Sequence, residues 1–191
     1  MPRPSRRDDV LEAASARFFR DGITATGIDR VIADAGVAKM TLYGNFASKD
    51  ELVVAYLKHR DRRYFEHVEE EVAAGDTPLE RALAPVRLYR RYLDEPGFHG
   101  CAFVNAAAEL SRGHPGHAVI VEHKERMLAR WTELIGELDL AEPELVAREC
   151  FLSLEGAFVH VGIGSGQTLF DAVEELVRRR LLEAQGPRSA G

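Results

Sequence analysis

Val10, Leu11, Ala14 and Phe18 recur at helical spacing within residues 6–20, with Ala13 and Phe19 on the flank, and predict an amphipathic helix. Asp8, Asp9 and Glu12 suit the positive end of its dipole. Asp21-Gly22 ends it, because Gly22 can take the left-handed conformation after the last turn. Thr26 is a suitable N-cap for a short helix over 27–35 with Ile28, Val31, Ile32 and Ala35 on its apolar positions. Gly36 breaks that helix, and a second short one over 38–45 carries Met40, Leu42 and Tyr43. Ser48 then caps a long helix over 49–74, with Leu52, Val53, Tyr56, Leu57, Tyr64 and Val68 on its inner side. Gly75-Asp76-Thr77-Pro78 supplies a stop, an N-cap and a proline at the first helical position.

Further helices are expected at 78–94, 100–112, 116–138, 143–163 and 168–184, separated by Asp94 to Gly97, Gly113 to Gly116, Asp139 to Pro143 and the glycines 162, 164 and 166. Pro85, inside the helix expected at 78–94, is positioned to kink it. No stretch alternates apolar and polar residues with β-branched enrichment. The pattern therefore predicts an all-α chain of about nine helices, with a frayed tail over 186–191.

Composition narrows the class. The 191 residues are 46% hydrophobic and 29% charged, which suits a globular protein that buries a core. Two cysteines, Cys101 and Cys150, make no disulfide framework and suit a reducing compartment. No apolar run reaches the roughly 20 residues of a membrane span. No apolar segment follows the basic start of the chain, so a cytoplasmic location is expected and no membrane partner. The net charge of −6 is unevenly spread: residues 1–50 carry eight basic and seven acidic side chains, the rest 17 and 24. A polyanion meets less repulsion at the N-terminal segment.

Residues 27–46 are two short helices around a tight Gly36-Val37-Ala38 turn. Such a pair buries little alone and needs the helices at 6–20 and 49–74 to close a core from Phe18, Ile28, Ile32, Val37, Leu42, Phe46 and Leu52. The outward face of the second helix then offers Lys39, Thr41, Tyr43 and Asn45, side chains able to hydrogen-bond phosphates and base edges. This is a helix-turn-helix arrangement, whose second helix enters the major groove of DNA.

Ala35-Gly36-Val37, Thr41-Leu42-Tyr43, Phe46 and Ser48-Lys49-Asp50-Glu51-Leu52 together resemble the DNA-binding domain of the TetR family of bacterial transcription regulators. About 50 residues carry the resemblance; the remainder matches in length and helical pattern. It implies that Lys39, Thr41 and Asn45 face bases or adjacent phosphates, and that Tyr43 donates its hydroxyl to a phosphate. Thr26 and Lys49 would clamp the DNA backbone on either side. Arg3, Arg6 and Arg7 would track phosphates or reach a minor groove. Ala38 stands where many members have a capping Ser, and Asn45 where His is frequent. The implied division is a DNA-binding domain over 1–48 and a ligand-binding and dimerisation domain over 49–185, entered through the helix at 49–74.

Dimerisation is expected through residues 143–184: the helix at 143–163 is apolar on two sides with Leu145, Phe151, Leu152, Leu154, Phe158, Val159 and Val161, Gly156 and Ala157 allow close approach, and the last helix offers Leu169, Val173, Leu176, Val177 and Leu181. A palindromic double-stranded operator would match such a two-fold dimer. Polar groups on otherwise apolar faces suggest a small-molecule pocket in the C-terminal helices. Cys101, Asn105 and Glu109 share one helix face, His123 interrupts a stripe with Met127 and Trp131, and Glu155 lies between apolar turns near Phe158. Tyr92 and Phe98 would close the mouth. Cys101 beside Gly100 and His99 is also a candidate sensor thiol.

Gly162, Gly164 and Gly166 have the wrong spacing for a dinucleotide loop, and Ser165 is not in a nucleophile elbow. No metal-ligand spacing occurs, so neither cofactor nor metal is expected. The expected function is a ligand-responsive DNA-binding regulator that represses until a small molecule releases it. An effector-independent DNA-binding protein and a helical-bundle enzyme, with Glu109 and His123 as an acid/base pair, are the alternatives.

Overall fold

The computed structural model describes residues 6–164 and 167–184, so Arg3, Ser165, Gly166 and the tail 186–191 lie outside the described residues. Ten helices, and no strand, occur among the described residues. They are α1 (Arg6–Asp21), α2 (Ile28–Ala35), α3 (Lys39–Asn45), α4 (Lys49–Ala73), α5 (Pro78–Ala82), α6 (Ala84–Leu93), α7 (Ala102–Glu109), α8 (Pro115–Gly136), α9 (Pro143–Gly162) and α10 (Gln167–Ala184).

The count exceeds the expected nine because Pro85 ends a helix where a kink was expected. A proline ring clashes with the carbonyl four residues earlier and supplies no N–H. The chain breaks at Leu83, between α5 and α6. Two carbonyls near the break find side-chain donors: Arg87 Nη1 donates to the Glu80 oxygen at 2.7 Å, and Trp131 Nε1 donates to the Ala82 oxygen at 2.7 Å. Helix α7 is also shorter than the 100–112 expected; it starts after Cys101 and ends at Glu109.

Two compact units divide the chain. The first comprises Met1–Arg62 and Ala102–Glu122, the second Arg63–Cys101 and His123–Gly191. Helices α4 and α8 each contribute to both. In the first unit, Val10, Leu11, Ala14 and Phe18 of α1 are buried with Leu42, Phe46, Leu52, Val53, Tyr56 and Leu57, and Phe18 meets the Tyr56 ring edge-on at 5.5 Å. Ile28, Ile32 and Val37 were expected in this core but are only half-buried; Val31 is the buried residue of α2. The guanidinium of Arg17 joins α1 to α2 through Asp34 and reaches Asp21 at 3.0 Å.

The second unit has its own core around Trp131, Leu134, Ile135, Leu88, Cys150 and Phe170. Thr77 and Glu80 form a reciprocal cap at the start of α5. Helices α9 and α10 pack as a hairpin that buries Leu154, Phe158, Val173, Val177 and Leu181.

Candidate nucleic-acid interface and buried polar cluster

Helix α2 ends on Gly36, whose φ of 62° and ψ of 33° place it in the left-handed region; its N–H returns to the Ala33 carbonyl. That conformation is strained for any residue with a Cβ. The turn sets the start of α3, where Ala38 offers no side-chain cap. Leu42 is the buried residue of α3, with Phe46 buried just beyond it. These two anchors leave Lys39, Met40, Tyr43 and Gly44 exposed on the same short helix. Lys39 Nζ lies 3.1 Å from Asp29 of α2, which raises its pKa through hydrogen bonding and charge.

Thr41, Asn45 and Lys49 are half-buried. Asn45 Nδ2 donates back to the Thr41 carbonyl at 2.7 Å. Ser48 caps α4, its hydroxyl accepting from the Glu51 N–H at 3.1 Å, and Lys49 is the first residue of that helix. Arg7 stacks over the Phe46 ring at 4.8 Å. Thr26 departs from expectation: Gly27 occupies the cap of α2, while the Thr26 side chain is buried and donates to the Gly22 carbonyl at 2.6 Å. A hydroxyl with a carbonyl four residues back forms this local bond in preference to capping the next helix.

Glu109 closes the turn before α2. Its carboxylate accepts from the Ile23 N–H at 3.1 Å and the Thr24 N–H at 2.6 Å. Burial pushes this carboxyl up, but the two backbone donors outweigh it and leave its pKa below the ordinary glutamate value. Gly22 has φ +89°, and a Cβ there would meet Glu109 Oε1 at 3.1 Å. Nearby, His114 Nδ1 accepts from the Gly116 N–H at 2.9 Å, which leaves Nε2 as the protonated nitrogen facing Asp50 at 3.3 Å. Asn105 and Glu109 belong to the first unit, and the other expected pocket residues to the second.

The second unit holds a polar cluster inside its apolar helices. Lys124 pairs with Glu155, Tyr89 donates its hydroxyl to the same carboxylate, and Cys101 Sγ lies 3.7 Å from Lys124 Nζ. Burial works against the Lys124 ammonium, but Cys101 and Glu155 more than offset it, and its pKa is raised. Burial raises the Tyr89 and Tyr64 hydroxyls well above the usual tyrosine range. Phe158 packs on Tyr89 and Phe98, with centroids 4.1 and 5.1 Å apart. Tyr92 bonds His67 Nδ1 at 2.9 Å, and burial lowers the pKa of that imidazole.

His123 is buried edge-on to Tyr64 at 5.1 Å, beside buried Met127. Trp131 is a core residue whose indole N–H is spent on Ala82. Lys124 and Tyr89 were missed from the sequence. Lys124 sits in Glu122-His123-Lys124-Glu125-Arg126, a run that reads as a solvated face, and Tyr89 reads as core. No cluster of His, Cys, Asp and Glu able to hold a metal occurs among the described residues. No described helix is long and apolar enough to cross a membrane.

A hydrophobic stripe remains exposed on the α9–α10 hairpin. Leu145, Leu152 and Val159 recur every seven residues on α9, and Leu169 and Leu176 do so on α10. Gly156 shares the α9 stripe, with open space where a Cβ would stand.

A short α2, a left-handed glycine and an outward-facing α3 held by one buried leucine define the class of helix-turn-helix transcription regulators. The sequence profile of the bacterial regulatory proteins, tetR family, matches residues 10–56. A crystal structure from Streptomyces avermitilis, described as a TetR transcriptional regulator, is 30% identical with a TM-score of 0.82, covering 95% of this chain and 98% of that one. The chain belongs to the TetR family. SCO4454, a TetR-family regulator from Streptomyces coelicolor, is 29% identical with a TM-score of 0.88, covering 94% and 96% of the two chains.

Among curated relatives, the transcriptional repressor KstR2 of Mycobacterium tuberculosis is 27% identical over 70% of this chain. The transcriptional activator FasR of Mycolicibacterium smegmatis is 32% identical over 49% of it. The matched stretches span 66% of the repressor and 43% of the activator.

Proposed function

We propose that the chain is a homodimeric repressor that holds a palindromic operator through α3 and releases it when a small molecule binds the second unit. One observation carries the DNA-binding half of this reading: Leu42 anchors α3 inward while Lys39 and Tyr43 stand outward beside the Gly36 turn. In this reading Lys39, Thr41 and Asn45 work at base edges and nearby phosphates, Tyr43 and Lys49 on phosphates, and Thr26 shapes the turn between α1 and α2. The functional boundary is at Ser48/Lys49.

The exposed stripe on α9 and α10 supports a second copy of the chain as its occupant, which makes a four-helix seam. The effector site is assigned to the cluster of Cys101, Lys124, Glu155 and Tyr89, with Tyr92, Phe98 and Phe158 around it. A ligand there acts by preferring the dimer geometry whose recognition helices do not match the roughly 34–36 Å repeat of DNA. The role is regulation and not catalysis. Repression follows the likeness to KstR2, and activation is the second reading because FasR is also similar.

The purified full chain is expected to select a palindrome from random DNA. Lys39→Ala should lower the slope of log affinity against log salt by about 1, and Tyr43→Phe should weaken binding several-fold. Selection of no common sequence, or two variants that bind as the parent does, overturns the reading.

A further inference from the structure

The outward face of α3 carries one group that the fold does not use. Met40 is 83% exposed, against 45% for Tyr43, and Leu42 alone on this helix is buried. An apolar side chain left in water at the centre of a short helix gains nothing for the folded monomer. Gly44 lies one turn further along the same helix face, and a Cβ there would meet nothing within 4 Å. Its φ is not in the left-handed region, so neither backbone conformation nor crowding within the chain calls for glycine at this position. The pair leaves an exposed thioether one turn from a backbone position with no side chain and open space beside it. Lys39, on the flank, is held toward Asp29.

In the major groove each base pair offers hydrogen-bonding edges, and the one apolar group is the C5-methyl of thymine. Phosphates and base amides are poor partners for a thioether, which accepts hydrogen bonds only weakly. We propose that Met40 is a specificity-determining residue that packs on a thymine methyl in each half-site, with Gly44 leaving room for the base edge to approach. This inference rests on the DNA-binding reading of α3 and adds one base preference to it. The contact is dispersive and hydrophobic, so it discriminates thymine from uracil, which has the same hydrogen-bonding edge without the methyl.

The test uses the full chain and the DNA fragment it selects from a random pool. Each thymine of a half-site is replaced in turn by deoxyuridine, and binding is measured for the parent and for Met40→Ala. At one position the replacement should weaken the parent by about four-fold, the effect expected of one buried methyl. Met40→Ala should bind both DNAs equally, at the affinity the parent shows for the uracil fragment. Met40 is exposed, so the variant should keep its helical circular dichroism. Equal losses in both proteins at every position, or no loss at any, overturn the role of Met40 while DNA binding stands. Failure to select any DNA overturns the DNA-binding reading itself and the inference with it.

Discussion

Glu109 spends both carboxylate oxygens on the amides of Ile23 and Thr24, and these bonds exist in full strength only while it is ionised. Its folded pKa is depressed, so its contribution is present above the unfolded carboxyl pKa and is lost as pH falls through the lower folded value. Glu109→Gln should flatten this part of the acid limb in a pH series of urea melts. Because the residue is partly solvated, Glu109→Ala should cost no more than about 1 kcal/mol. Trp131 makes a contrasting case, since its indole N–H satisfies the carbonyl that the Pro85 break exposes. Trp131→Phe keeps much of the apolar surface but strands the Ala82 oxygen, at a cost of about 2–3 kcal/mol in denaturant melts followed by circular dichroism.

Among the elements, the helix-turn-helix was legible because its constraints are local. Gly36 at a helix end, Leu42 and Phe46 four apart, and Ser48 with Glu51 each depend on residues within one or two turns. Gly36→Ala places a Cβ at φ 62° and should destabilise by about 1–2 kcal/mol in chemical denaturation. Gly44→Ala should do the opposite, stabilising by about 0.5–1 kcal/mol in the same measurement, because the site is helical and open. The break between α5 and α6 was less legible. Pro85 signalled a disturbance, but the side chains that accommodate a full break, Arg87 and Trp131, differ greatly in their distance along the chain.

For the whole molecule, the proposed dimer rests on the surface of α9 and α10. Leu152 is 69% exposed on a stripe with Leu145, Val159 and Leu176. Leu152→Asp should leave the helical spectrum intact and yield a monomer by sedimentation equilibrium. It should also lose most operator affinity, because a single half-site supplies too few contacts.

The chain's own pattern sufficed for most of the helices, the turn chemistry at Gly36 and the inward anchoring of α3 by Leu42, since these follow from spacings of three and four residues and from local backbone preference. It did not foresee the break at Leu83 or that Thr41 and Asn45 are half-buried. Tertiary packing alone placed Lys124 against Glu155, turned Thr26 inward, sent the Glu109 carboxylate to the α1–α2 turn and left Met40 bare. Burial and pairing of polar groups depend on what arrives from distant parts of the chain. Helical periodicity reports which face a residue occupies and carries no information about its partner there.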